Sequence, residues 1–132
     1  MPNIWDSKNK FAVIVGIEDY RSSKATLPKV AYARKDAEDF KKLLLEHFHF
    51  EEKEITLWLN EHASKIALEN DLAYQIKSLP PDTSFVFYYA GHGFSKNGQN
   101  LLTCWDTFAG NVEETSVSLR ERLRGSTPQL PS

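Results

Sequence analysis

Two uninterrupted apolar stretches constrain this chain more than any other feature. Phe11-Ala12-Val13-Ile14-Val15-Gly16-Ile17 and Phe85-Val86-Phe87-Tyr88-Tyr89-Ala90 are strand-length runs rich in β-branched or aromatic residues. A strand covered on both faces reads this way, because neither face needs a polar alternate. Such strands lie in a parallel sheet, and parallel neighbours need crossovers long enough to hold a helix. The intervening sequence supplies them. Val30, Ala33, Ala37, Phe40 and Leu44 fall at spacings of three and four on one helical face, with Lys35, Glu38, Asp39, Lys41 and Lys42 on the solvent side. After a polar turn, Ile55 to Leu59 predicts a second, shorter strand. Ser64 predicts the N-cap of a second helix that carries Leu68, Leu72, Ile76 and Leu79 on one face and stops at Pro80-Pro81. Strands alternating with helices predict an α/β fold with a mainly parallel sheet and helices on both sides.

Beyond this frame the signals weaken. Leu101 to Trp105 suggests a fourth short strand, and Ser118-Leu119-Arg120-Glu121 has the capping-box pattern of a brief helix closed by Gly125. The expected organisation is a polar amino-terminal segment over 1–10, one domain over 11–125 and a mobile tail over 126–132. A chain of 132 residues, 41% hydrophobic, suits one core rather than two. With 16 basic and 18 acidic side chains and no basic stripe, nucleic acid is not an expected partner. The longest apolar run is only a strand's worth, so no secretory signal or membrane span is expected. The single cysteine, Cys104, excludes an internal disulfide and suits a reducing, cytoplasmic setting.

Chemistry concentrates at Gly91-His92-Gly93, where the second apolar run stops abruptly. In an open parallel sheet, functional groups gather beyond the carboxyl ends of the strands, where loops converge on an uncovered crevice. A histidine presented there acts as an acid or base near neutral pH. Flanking glycines let the backbone turn sharply and approach a ligand closely, which a Cβ at either position would hinder. His47, His49 and His62 lie in polar connections without metal-ligand spacing and read as surface residues. Cys104 reads as a small apolar residue. Asp36 either orients a loop or faces water. Asp106, Glu113 and Glu114 read as solvated loop acids, and Arg120, Arg122 and Arg124 as a solvated helix face.

Several of these features, in this order, resemble the caspase and metacaspase group of cysteine peptidases. Val15-Gly16-Ile17 with Tyr20 shortly after, Asp36-Ala37 in the first helix, and above all Phe87-Tyr88-Tyr89-Ala90-Gly91-His92-Gly93 carry the likeness. Leu101-Leu102, Asp106 and the Ser118 segment follow in the family's order, so the resemblance runs from Phe11 to Gly125. It implies a three-layer α-β-α sandwich of the p20 type. It also implies a cysteine thiolate that attacks the scissile carbonyl, with His92 as the catalytic histidine and the backbone N–H of Gly93 in the oxyanion hole. The family's nucleophile sits in an Asp-Ala-Cys-like sequence on the strand after the Ser118-type helix. The sequence stops before that strand, so it reads as truncated ahead of its catalytic cysteine, with the last strands of the sheet missing.

Metacaspases bind calcium through aspartates after the histidine, but Phe94 to Asn100 holds none, so no metal or other cofactor is expected. The implied partners are a protein or peptide substrate, together with a separate carboxyl-terminal subunit or a dimer partner; no membrane is expected. Glu18 and Asp19 leave the first strand toward the site and are candidate substrate-binding residues that would select a basic P1 side chain by charge pairing. The leading expectation is the front part of a cysteine-type endopeptidase working by a Cys-His dyad, inactive as this chain alone. The alternative is a noncatalytic pseudopeptidase used as an interaction or regulatory module. An unrelated flavodoxin-like ligand domain is disfavoured, because no glycine-rich phosphate loop follows Gly16.

Overall fold

A computed structural model describes residues 9–21 and 27–118. The first apolar run forms β1 (Lys10–Gly16), whose residues Ala12 to Val15 are fully buried. It is flanked on one side by β2 (Ile55–Leu59) and on the other by β3 (Ser84–Ala90), both parallel to it, in the order β2-β1-β3. The registers bring the three carboxyl ends level, since Gly16 pairs with Leu59 on one side and with Ala90 on the other. Ile17 then donates its N–H to the Ala90 carbonyl at 2.8 Å, which fixes the rim from which the functional loops depart.

The alternation along β1 divides the core into two. Ala12 and Ile14 pack with Ala37 and Leu44 of α1 (Ala33–His47), with Phe40 and Tyr88 stacked at 4.4 Å between centroids alongside. Val13, Val15 and Ile17 face the opposite way and pack with Leu68, Leu72 and Ile76. Those three lie on a helical stretch that begins at Lys65, widens into a π-type turn over Ala67–Asp71 and finishes as α2 (Leu72–Lys77). The predicted cap at Ser64 is present, its Oγ accepting the Ala67 N–H at 3.2 Å. Layers of helix, sheet and helix are thus in place, as the alternating sequence required. No helix among the described residues is long and apolar enough to cross a membrane.

The structure departs from the sequence-based expectation after His92. The strand expected over Leu101–Trp105 lies instead at Gln99–Leu102. Gly93–Lys96 (β4) and Gln99–Leu102 (β5) form a hairpin, and β5 also pairs antiparallel with β6 (Val117–Ser118) in a second small sheet. Asn97 and Gly98 both have positive φ, 52° and 77°, the type I′ geometry whose twist matches a two-residue hairpin. Ser118 lies in a strand, opposite Leu101. The predicted helix to Gly125, the arginines at 120, 122 and 124, the tail from Ser126 and most of the amino-terminal segment lie outside the described residues. A short helix α3 (Val112–Thr115) precedes β6. Val30 belongs to the core but not to α1, which starts only after Tyr32 takes a left-handed conformation at φ 67°.

Close packing of β1 against α1 depends on Gly16. A Cβ there would stand 2.7 Å from the Ala37 Cβ and 2.9 Å from the Ala33 carbonyl oxygen. Gly16→Ala is expected to destabilise the fold by about 1–3 kcal/mol through overpacking, read as a lower urea midpoint with an unchanged slope. A midpoint equal to that of the parent would contradict this helix–strand contact.

Candidate active site

His92 lies two residues past the end of β3, at the level rim of the sheet, and both of its peptide groups are held by side chains. Its N–H donates to the Tyr20 hydroxyl at 2.9 Å. Its carbonyl accepts the Thr103 hydroxyl at 2.7 Å and the Thr103 N–H at 3.1 Å, with the Tyr89 hydroxyl oxygen 3.0 Å away. Tyr20 Oη and Thr103 Oγ1 are themselves 2.8 Å apart. With the Thr103 proton committed to His92, the Tyr20 proton goes to Thr103. The ring then closes from His92 N–H through Tyr20 and Thr103 back to the His92 carbonyl, each bond polarising the next. Tyr89 completes the cluster with a 2.7 Å bond to the Thr103 carbonyl. Thr103 is fully buried and Tyr20 nearly so. These three residues hold the His92 peptide, a contact the sequence reading did not identify. Tyr89 read as one aromatic of a core strand, and Thr103 as part of the fourth.

The imidazole is oriented separately. Its Nε2 lies 2.8 Å from the Pro28 carbonyl oxygen, and the Tyr20 ring is 5.5 Å away between centroids. A carbonyl can only accept, so the bond requires the proton on Nε2 and leaves the Nδ1 lone pair of the neutral ring available as a base.

The two flanking glycines have different reasons to be there. A Cβ at Gly91 would stand 2.8 Å from the Tyr89 hydroxyl and 3.1 Å from that of Tyr20, so the tyrosine cluster requires glycine. At Gly93 a Cβ would meet nothing closer than 3.7 Å, so the packing of the fold does not itself require glycine there. The direction of the Gly93 amide follows from the hairpin register. The hairpin closes at Lys96 and Gln99, so the hydrogen-bonded pairs are 96–99 and 94–101, and Gly93 with Leu102 is a non-hydrogen-bonded pair. The Gly93 N–H therefore points to the outer edge of β4, immediately after the histidine.

Glu18 and Asp19 leave the same rim. Their two backbone N–H groups donate to one atom, Asn60 Oδ1, at 2.9 and 3.1 Å. The Glu18 carbonyl accepts the Val30 N–H at 2.9 Å, its carboxylate accepts the Arg34 N–H at 3.3 Å, and Lys29 Nζ approaches the Glu18 and Asp19 carboxylates at 3.7 and 4.0 Å. The acidic pair is thus tied to the loop that carries Pro28. Asp106 is a correction: it accepts the Lys65 N–H at 3.0 Å and so caps the second helical stretch instead of being a solvated loop acid. Glu113 pairs with Lys96, and Glu114 is exposed. Asp36 faces water in the first turn of α1, and His47, His49 and His62 are exposed. No group of side chains able to hold a metal ion occurs among the described residues.

Cys104 is fully buried in the core, against Val13, Val15 and Leu68 among others, and its N–H donates to Thr107 Oγ1. Burial, reinforced by the Asp106 charge, pushes its thiol from 9.0 up to about 12. Such a thiol is neither ionised nor reachable. Tyr89 is likewise raised above 10.0, mainly by burial.

The family model described as the caspase domain matches residues 9–126. No curated protein matches the chain.

Thr103→Val removes the hydroxyl at the centre of the cluster and leaves the buried Tyr20 hydroxyl without its acceptor. It is expected to cost about 1–3 kcal/mol and to speed hydrogen exchange at the His92 amide. Unchanged exchange would contradict the closed ring. Stability is also expected to fall as pH rises from 9 toward about 12. Over that range the unfolded chain releases the Cys104 and Tyr89 protons while the folded chain keeps them, so ionisation favours unfolding. Cys104→Ala combined with Tyr89→Phe should flatten the alkaline limb of the urea-midpoint profile; an equally steep limb would show that other groups cause it.

Proposed function

The chain belongs to the caspase-domain family of cysteine peptidases, and on that premise we propose that it is the histidine-bearing front part of an endopeptidase whose nucleophilic cysteine lies beyond it. The observation that carries this reading is the orientation of His92, whose Nε2 is held at 2.8 Å by the Pro28 carbonyl. Nδ1 takes the thiol proton as the thiolate attacks the scissile carbonyl. The imidazolium so formed still donates through Nε2 to Pro28 and passes its Nδ1 proton to the leaving amine. The Gly93 N–H, directed outward from β4, donates to the tetrahedral oxyanion. Cys104, the one cysteine of the sequence, is not the nucleophile, because it is buried as a neutral thiol. β3 is an outer strand of the described sheet, and its free edge suits a further parallel strand that brings a cysteine to the rim beside His92.

The substrate is a protein or peptide. Glu18 and Asp19 set two carboxylates against the one ammonium of Lys29, a balance that favours Arg or Lys over Asp at P1. The buried state of Cys104 equally suits a noncatalytic pseudopeptidase that uses the domain for interaction, and one experiment separates the readings. The segment encoded directly downstream, expressed in trans and mixed with this chain, is expected to hydrolyse Arg- and Lys-containing peptides faster than Asp-containing ones. His92→Ala should lower that rate by about 10²–10⁴-fold, whereas Cys104→Ala should leave it unchanged. No hydrolysis by the parent mixture would overturn the peptidase reading in favour of the pseudopeptidase, whose biological activity survives His92→Ala.

A further inference from the structure

We propose that Asn60 is a positioning residue for His92, acting from the end of a different strand and touching neither the imidazole nor the cluster beneath it. The inference rests on the reading of His92 as the proton-transfer residue, but its physical content, the hold on the imidazole, stands apart from activity.

The level ends of β1, β2 and β3 bring three departures to one rim: Glu18 after β1, Asn60 after β2 and His92 after β3. Asn60 has φ 49°, a left-handed conformation that asparagine tolerates and most residues do not. From there its Oδ1 accepts both successive amides of the Glu18–Asp19 turn, at 2.9 and 3.1 Å. No other acceptor for these two amides is seen among the described residues. Glu18 in turn holds the Pro28 loop by its carbonyl to the Val30 N–H, and the start of α1, into which that loop runs, by its carboxylate to the Arg34 N–H. The carbonyl of Pro28, two residues before Val30, takes the His92 Nε2 proton.

The order of constraint therefore runs from Asn60 to the Glu18–Asp19 turn, from that turn to the Pro28 loop, and from Pro28 to the imidazole. A proline carbonyl cannot orient a histidine unless its own loop is fixed. Here the loop is fastened through Glu18. Asn60 sets the position of Glu18 by satisfying two adjacent donors with one oxygen.

The test uses the imidazole proton itself. A ring N–H held by a carbonyl gives a visible proton resonance, whereas one open to water is lost to exchange. The parent chain is expected to show the His92 Nε2–H signal at neutral pH. Asn60→Gly keeps the left-handed backbone available while removing the acceptor, and it should erase the signal with the amide pattern of β1, β2 and β3 intact. Asn60→Asp restores an acceptor at the same reach and should restore the signal. A retained signal in Asn60→Gly, or a loss that Asn60→Asp does not reverse, would overturn the proposal. If Asn60→Gly fails to fold, the parent chain decides alone. Its Glu18 and Asp19 amides should exchange far more slowly than exposed loop amides, and exchange at the open-loop rate would refute the arrangement. None of these readings depends on hydrolysis, so failure here and failure of the peptidase reading are distinct results.

Discussion

The hydrogen-bonded ring through the His92 peptide is the interaction on which the rest of the site depends. A histidine just past a strand end would ordinarily sit on mobile backbone. Here its N–H and its carbonyl are both engaged by Tyr20 and Thr103, with Tyr89 bracing the Thr103 carbonyl. The cluster is buried, so each partner that failed to bond would leave a desolvated polar group, and this makes the arrangement all-or-none. It also explains why Gly91 precedes the histidine: the two tyrosine hydroxyls occupy the space a side chain would need.

The clamp works because the fold delivers its members from separate parts of the chain to one place. β1 carries Tyr20 off its end, β3 carries Tyr89 and His92, and the hairpin that follows turns back so that Thr103 lies beneath the histidine. The type I′ turn at Asn97-Gly98 sets the register of that hairpin, and this register decides two things together. It aligns the Thr103 N–H with the His92 carbonyl, and it leaves the Gly93 N–H on the outer edge. Backbone held from below and imidazole held from the side by Pro28 together restrict the ring to one tautomer and one direction.

How much of this was legible in the sequence follows from what each feature is made of. The parallel strands and α1 declared themselves because burial on two faces, or on one helical face, leaves a periodic record. His92 stood out through its glycines and its place at a strand end. The hairpin was legible too, in Asn97-Gly98 between two short runs, but the apolar pair Leu101-Leu102 drew the reading to a single short strand. Pro28 left no trace, since a backbone carbonyl has no side-chain signature and a proline in a loop reads as punctuation. Thr103 and Tyr89 looked like ordinary strand residues because their polar atoms work at a distance of 14 and 11 residues, where spacing carries no information. Asp106 was misread for the same reason, its helix-capping partner lying 41 residues away.

The central claim is that His92 serves a thiolate that is not Cys104. The most direct measurement is to treat the protein, as its own gene expresses it, with a peptidyl electrophile that alkylates activated thiols, and to find the labelled residue by mass spectrometry. The account predicts a single label on a cysteine outside the 132 residues described by this sequence, lost when His92 is replaced by alanine. A label on Cys104, or labelling indifferent to His92, would contradict it.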